Sequence, residues 1–196
     1  PFQAAAVIRG ADSTDTVGWN AATSAVFKAI AHKIDSLSVD EELSDTVESF
    51  AGLINGAAVY AGLDETDQAV AAAAAEHVAE VILSGMGNLK TVTEAFENAG
   101  TFDPVAYLTE LAKSASVFQT TAADDIQAAV DGGDTSGLVA SYSGAALQTK
   151  LDNATTGDVT GAHINDPPTI AAPTQAIQGV ENTGVLIDGV SLSDVD

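Results

Sequence analysis

The sequence predicts a mainly α protein: an alanine-rich bundle of about six or seven helices over residues 1–152, followed over 153–196 by an extended or β segment. Three observations predict it. Apolar residues recur at three- and four-residue spacing from Trp19 to Leu151, the spacing of one helix face. Helix caps and breakers, among them Asp64, Asp103 with Pro104, and Gly132 with Gly133, punctuate that pattern. Beyond Asn153 the periodicity stops, and Pro167, Pro168 and Pro173 stand among threonine-rich sequence.

Taken in order, residues 1–15 read as an unpatterned lead-in, because Gly10, Asp12, Ser13, Thr14 and Asp15 are turn formers. A first helix is expected over 19–36, burying Trp19, Ala22, Val26, Phe27, Ile30 and Ile34. Ser38 with Glu41 has the form of a capping box, in which each side chain satisfies a backbone N–H of the next helix. That helix carries the stripe Leu43, Val47, Phe50, Leu53, Ile54 and Ala57. Asp64 N-caps a third helix through the alanines of 71–75 and Val78, Val81 and Ile82, with Ser84, Gly85 and Gly87 as its stop. Alanine combines the best helix propensity with no bulk, so this helix is expected at the centre, close to its neighbours. A fourth helix is expected over 88–99. Asp103 with Pro104 opens a fifth, with Val105, Leu108, Leu111, Ala115 and Phe118 buried. A short helix over 122–130 and a seventh over 137–151 complete the bundle. In the tail, 184–187 and the alternation Val190, Ser191, Leu192, Ser193 read as short strands.

Composition narrows the function classes. Acidic residues number 28 against 6 basic ones, for a net charge of -22. Binding to nucleic acid or to anionic lipid requires Lys and Arg to neutralise phosphate, so neither is expected as a partner. Divalent cations are the ligands such a charge welcomes, and solubility is its plainer consequence. With no cysteine, disulfides and thiolate metal sites are excluded. The longest purely apolar run, 69–75, falls far short of the roughly 20 residues a bilayer needs, so no membrane insertion is expected. The opening at Pro1 lacks the basic-then-apolar order of a targeting segment.

The tail carries a distinctive order of residues: Ile164-Asn-Asp-Pro-Pro-Thr-Ile, then Gly179-Val-Glu-Asn-Thr, then Val190-Ser-Leu-Ser-Asp-Val-Asp. It resembles the start of the bacterial cadherin-like repeats of large secreted and cell-surface adhesins, with Asn165, Asp166, Pro168, Glu181, Asn182, Asp194 and Asp196 in the matching positions. The resemblance implies a β-sandwich that begins here and is incomplete, since such a sandwich needs about seven strands. It also implies calcium, which prefers carboxylate and carbonyl oxygens, with Asp166, Asp194 and Asp196 as candidate metal ligands. Read without the resemblance, these aspartates are solvated turn residues.

Nothing in the sequence points to catalysis. His32, His77 and His163 stand in no metal-ligand spacing with one another, and Glu76 and Glu80 flank His77 as helix-surface neighbours. The stretch 131–134, Asp-Gly-Gly-Asp, reads as a helix-ending turn rather than a calcium repeat. Acidic pairs such as Asp124 with Asp125 and Glu41 with Glu42 lie near expected helix starts, where negative charge is favourable. The expectation is therefore a non-enzymatic structural or interaction module of a large secreted or cell-surface protein, bound to protein partners or to copies of itself. One alternative is a subunit of a particle, layer or filament with its C-terminal arm on a neighbour. Another is a helical small-molecule carrier or enzyme, whose pocket Trp19, Tyr60, Tyr107 and Tyr142 would line.

Overall fold

The computed structural model describes residues 1–37 and 45–154, together with two short strands at 169–171 and 191–193. The chain divides into two compact units, Pro1–Thr156 and Gly157–Asp196. The first is helical throughout. Its elements are α1 (Phe2–Ala11), α2 (Trp19–Asp35), α3 (Val47–Tyr60), α4 (Glu65–Glu97), α5 (Pro104–Ser116), a π turn (Val117–Thr121), α6 (Ala122–Asp131), α7 (Leu138–Ser141) and α8 (Gly144–Asn153). In the second unit, β1 (Thr169–Ala171) pairs antiparallel with β2 (Ser191–Ser193), with Thr169 opposite Ser193.

The expected lead-in is instead the centre of the bundle. Helix α1 buries Ala4, Ala5, Ala6, Val7, Ile8 and Ala11 and packs against α2, α3, α4 and α6. A helix enclosed on all sides has no polar face, and so shows no amphipathic period to read. Gly10 is no turn residue either. It lies in α1 where α6 passes so close that an added Cβ would sit 2.6 Å from the Gln127 carbonyl oxygen and 2.8 Å from Val130 Cβ.

Helices α2 and α3 meet through small residues. Ala22, Ala25, Val26 and Ala29 form the buried face of α2, and a Cβ on Gly56 of α3 would meet Ala29 Cβ at 3.6 Å. Phe27 and Ile34, expected inside, are 55% and 52% exposed. The reason is steric: where two backbones approach closely, the alanine face fits and the large side chains turn outward. Helix α3 opens at Thr46, whose side chain accepts from the Ser49 N–H, and buries Ala51, Ile54, Ala57 and Ala58. The expected capping box at Ser38 and Glu41, and Leu43, lie outside the described residues.

Asp64 caps α4 as expected, accepting from the Thr66 and Asp67 N–H groups at 2.9 Å each. The helix does not stop at Ser84. It continues through Gly85 and Gly87 to Glu97, merging two expected helices into one of 33 residues. Gly85 serves packing, since a Cβ there would come within 2.9 Å of the Phe118 ring. Helix α4 is long and apolar enough, by length and composition, to cross a membrane; in this fold α1, α3 and α5 pack against it.

Asp103 caps α5 through the Val105 and Ala106 N–H groups. The stripe expected to be buried divides. Phe118 is buried, but Val105 and Leu108 are 73% and 62% exposed. The helical path runs from α5 through the π turn into α6 without a break, and the Gln3 side-chain amide donates to the Phe118 carbonyl within that turn. The stretch 131–134 ends α6 in a Schellman turn, with Gly133 at φ 73° and the Asp134 N–H on the Ala129 carbonyl. The expected helix over 137–151 is broken at Tyr142 and Ser143 into α7 and α8, and Gly144 takes φ 51°.

These contacts predict opposite outcomes for two glycines. Gly10→Ala is expected to destabilise by about 1–3 kcal/mol through overpacking against α6. Gly87→Ala, with nothing within 4 Å of its added Cβ, is expected to stabilise by about 1 kcal/mol through helix propensity. Urea denaturation of the two variants checks both signs.

Candidate functional site

Two polar clusters tie helices of the bundle together. In the α1–α2 connection, Asp12 is buried and accepts four hydrogen bonds: from the Thr14 N–H and hydroxyl at one oxygen, and from the Thr16 and Val17 N–H groups at the other, the last two at 2.7 and 2.6 Å. The Thr14 hydroxyl and then these backbone donors hold its carboxyl below the usual carboxylate range, outweighing burial. Beside it, the Ser13 N–H and hydroxyl donate to the buried carboxylate of Asp67, tying the connection to the first turn of α4.

The second cluster surrounds Tyr142, which is fully buried where α7 breaks. Its hydroxyl donates to Asp125 at 2.6 Å, the Lys150 ammonium donates to the same carboxylate oxygen at 3.0 Å, and Lys150 also lies 4.8 Å from the ring centroid. The Ser84 hydroxyl donates to the Tyr142 carbonyl, and Phe118 packs 6.0 Å from the ring. Burial, and then Asp125, push the phenol well above its ordinary range, so it stays a donor. The arrangement joins α4, α6, α7 and α8.

The other sequence candidates are separated. Trp19 lies under the Arg9 guanidinium, 5.2 Å from its centroid; Tyr60 meets His32 edge-on; Tyr107 joins Phe96 and Phe102. The four rings proposed to line a pocket therefore have four different sets of neighbours. His77 hydrogen-bonds the Thr135 hydroxyl at 2.8 Å. Asp134 accepts from the Ser136 N–H and hydroxyl, which lower its pKa. Among the described residues no group of three or more His, Cys, Asp or Glu is placed to hold a metal ion. Asp166, Asp194 and Asp196, the candidate calcium ligands, lie outside the described residues.

The surface most unlike the rest of the unit is the α4–α5 hairpin. Its inner side is settled: Phe96 meets Tyr107 edge-on with centroids 5.1 Å apart, and the Ser114 hydroxyl donates to Asn88 at 2.7 Å. Val105 and Leu108 on α5 are exposed on the side away from that contact, Phe102 is exposed in the connection, and Met86 and Leu89 are exposed on α4. Each helical pair is spaced three residues apart, and so projects from one side of its helix. Acidic groups rim the face at Glu94, Glu97, Asp103 and Glu110, while its two lysines are paired, Lys90 with Glu94 and Lys113 with Glu110. Val105 and Leu108 were expected to be buried, and apolar period alone does not say which side of a hairpin meets the core. No family model, curated protein or solved structure matches this chain.

Asp12 makes stability pH-dependent in a defined direction. Its depressed folded pKa contributes stability that is complete above about pH 4, the unfolded carboxylate value, and is lost as pH falls through the lower folded value. Asp12→Asn presents an amide to the Thr16 and Val17 donors. It is expected to cost about 1.5–3 kcal/mol at neutral pH and to remove that part of the acid dependence, read as the difference between wild-type and variant urea midpoints from pH 7 to 2.5.

Proposed function

We propose that this chain is a non-enzymatic interaction module of a large secreted or cell-surface protein, in which the helical unit makes protein contacts and the tail leads into a cadherin-like repeat. The observation that carries the reading is the apolar outer side of a hairpin whose inner side is already packed. Large apolar side chains there add nothing to the core, and clustered exposed apolar residues mark interaction surfaces.

The tail supports the surface assignment through its resemblance and through the chemistry of its side chains. Thr169 and Ser193 are strand partners; in sequence Asp166 precedes the first by three residues, and Asp194 and Asp196 follow the second by one and three. Oxygen donors of this kind suit a hard cation such as calcium, which needs six to eight of them. Further donors would come from neighbouring carbonyls, water or additional chain.

Two measurements test this. An antibody against the helical unit should detect, in producing cells, a polypeptide far heavier than 19.7 kDa that added protease removes from intact cells; a protease-shielded band of that mass overturns the surface assignment. Calorimetric titration of the full chain with calcium should give saturable heat that Asp194→Asn reduces by at least about tenfold in affinity, and no heat with no change in melting would leave the aspartates as turn residues.

A further inference from the structure

The helical unit has a second exposed apolar stripe, and its charge is opposite to that of the hairpin. On α2, Phe27, Ala31 and Ile34 follow one another at four and three residues, all exposed, and so form one line along the helix. Lys28 and Lys33, also exposed, lie to either side of that line at 100° per residue, and together with the exposed Asp35 they leave the stripe with a net charge of +1. The chain has only six basic residues. Among the described residues Arg9, Lys90, Lys113 and Lys150 are in ion pairs with acidic groups of the same chain. The two that remain, Lys28 and Lys33, flank the α2 stripe.

We propose that these faces are the two halves of one contact between copies of this chain: the α2 stripe of one copy seats on the α4–α5 hairpin of the next. Phe27 and Ile34 meet Val105 and Leu108, and Lys28 and Lys33 meet Glu97 and Asp103, the rim acids that are in no ion pair among the described residues. Charge selects this pairing over a symmetric one. Two hairpin faces together would set acidic rim against acidic rim, and two α2 stripes would set lysine against lysine, whereas the crossed pairing joins opposite charges. The repulsion between two chains of net charge -22 is screened beyond about 8 Å at physiological ionic strength, so the local rim decides. Because the two faces differ, the contact is heterologous, and repetition gives a ring or a filament rather than a closed dimer. The inference rests on reading the chain as an interaction module, and it identifies the partner as another copy.

Sedimentation velocity on the full chain at roughly 0.1 mM, where micromolar contacts form and millimolar ones do not, tests it with two variants. Phe27→Glu removes the α2 half and Leu108→Glu the hairpin half. Both side chains are exposed, so the melting curve should not move. Wild type is expected to form species larger than dimers. Each variant alone is expected to sediment as a monomer, its self-affinity lowered more than about tenfold, and an equimolar mixture of the two should form dimers through the one intact pairing. A wild-type chain that stays monomeric overturns the inference and leaves the surface reading to the protease experiment. A dimer of Phe27→Glu alone overturns it in favour of a symmetric hairpin contact, and a mixture that stays monomeric overturns the crossed pairing.

Discussion

The whole bundle depends on how near its helices can come to one another, and small residues set that distance. Helix α1 is enclosed by four others because it offers Ala4, Ala5, Ala6 and Ala11 to them, and because Gly10 lets α6 pass within van der Waals reach of the backbone. Gly56 against Ala29, and Gly85 against the Phe118 ring, repeat the solution at the α2–α3 and α4–π-turn crossings. Each side chain in such a core removes little apolar area from water. Stability therefore comes from many close backbone contacts and their dispersion energy more than from a few large anchors.

A close-packed core of small side chains leaves the large ones to be placed elsewhere. Tyr142, Phe118, Ile8, Ile54 and Ile126 are taken inside. Phe27, Ile34, Phe102, Val105 and Leu108 are not, and their exposure follows from the same geometry that buries the alanines beside them. The outer surface of this unit is thus a by-product of its interior. It presents two apolar faces, one with lysines and one with carboxylates, on an otherwise acidic chain.

This also explains which parts of the structure were legible in the sequence. Local signals were reliable: Asp64 and Asp103 cap the helices they precede, and 131–134 ends α6, since each depends on backbone donors and acceptors a few residues away. Signals that rank residues by size held only in part: Val26, Ile54, Val78, Val81 and Phe118 are buried as expected, whereas Phe27, Ile34, Val105 and Leu108 are exposed. Val105 and Leu108 have the spacing of a core stripe, yet the inward side of α5 is marked by Tyr107 against Phe96 and by Ser114 on Asn88, a choice made by the partner helix. Helix α1 escaped notice because burial on all sides erases periodicity. Gly85 and Gly87 resemble a stop, and only the Phe118 ring on α4 shows what the first of them is for. The candidate surface was legible as a list of apolar residues and hidden as a surface.

The π turn at Val117–Thr121 has a consequence for the shape of this surface. One residue more than a regular turn advances the helical phase by about 100°. The path from Pro104 to Asp131 is thereby divided into two halves with different bearings, and the Gln3 amide fastens the Phe118 carbonyl at the junction. In α6 the apolar residues Ile126 and Val130 point into the interior, while in α5 Val105 and Leu108 face away from it. A single inserted residue at the midpoint of one helical rod is enough for one end to build the core and the other to build an exterior, so a change of one residue in length there would re-aim the outer face without altering its composition.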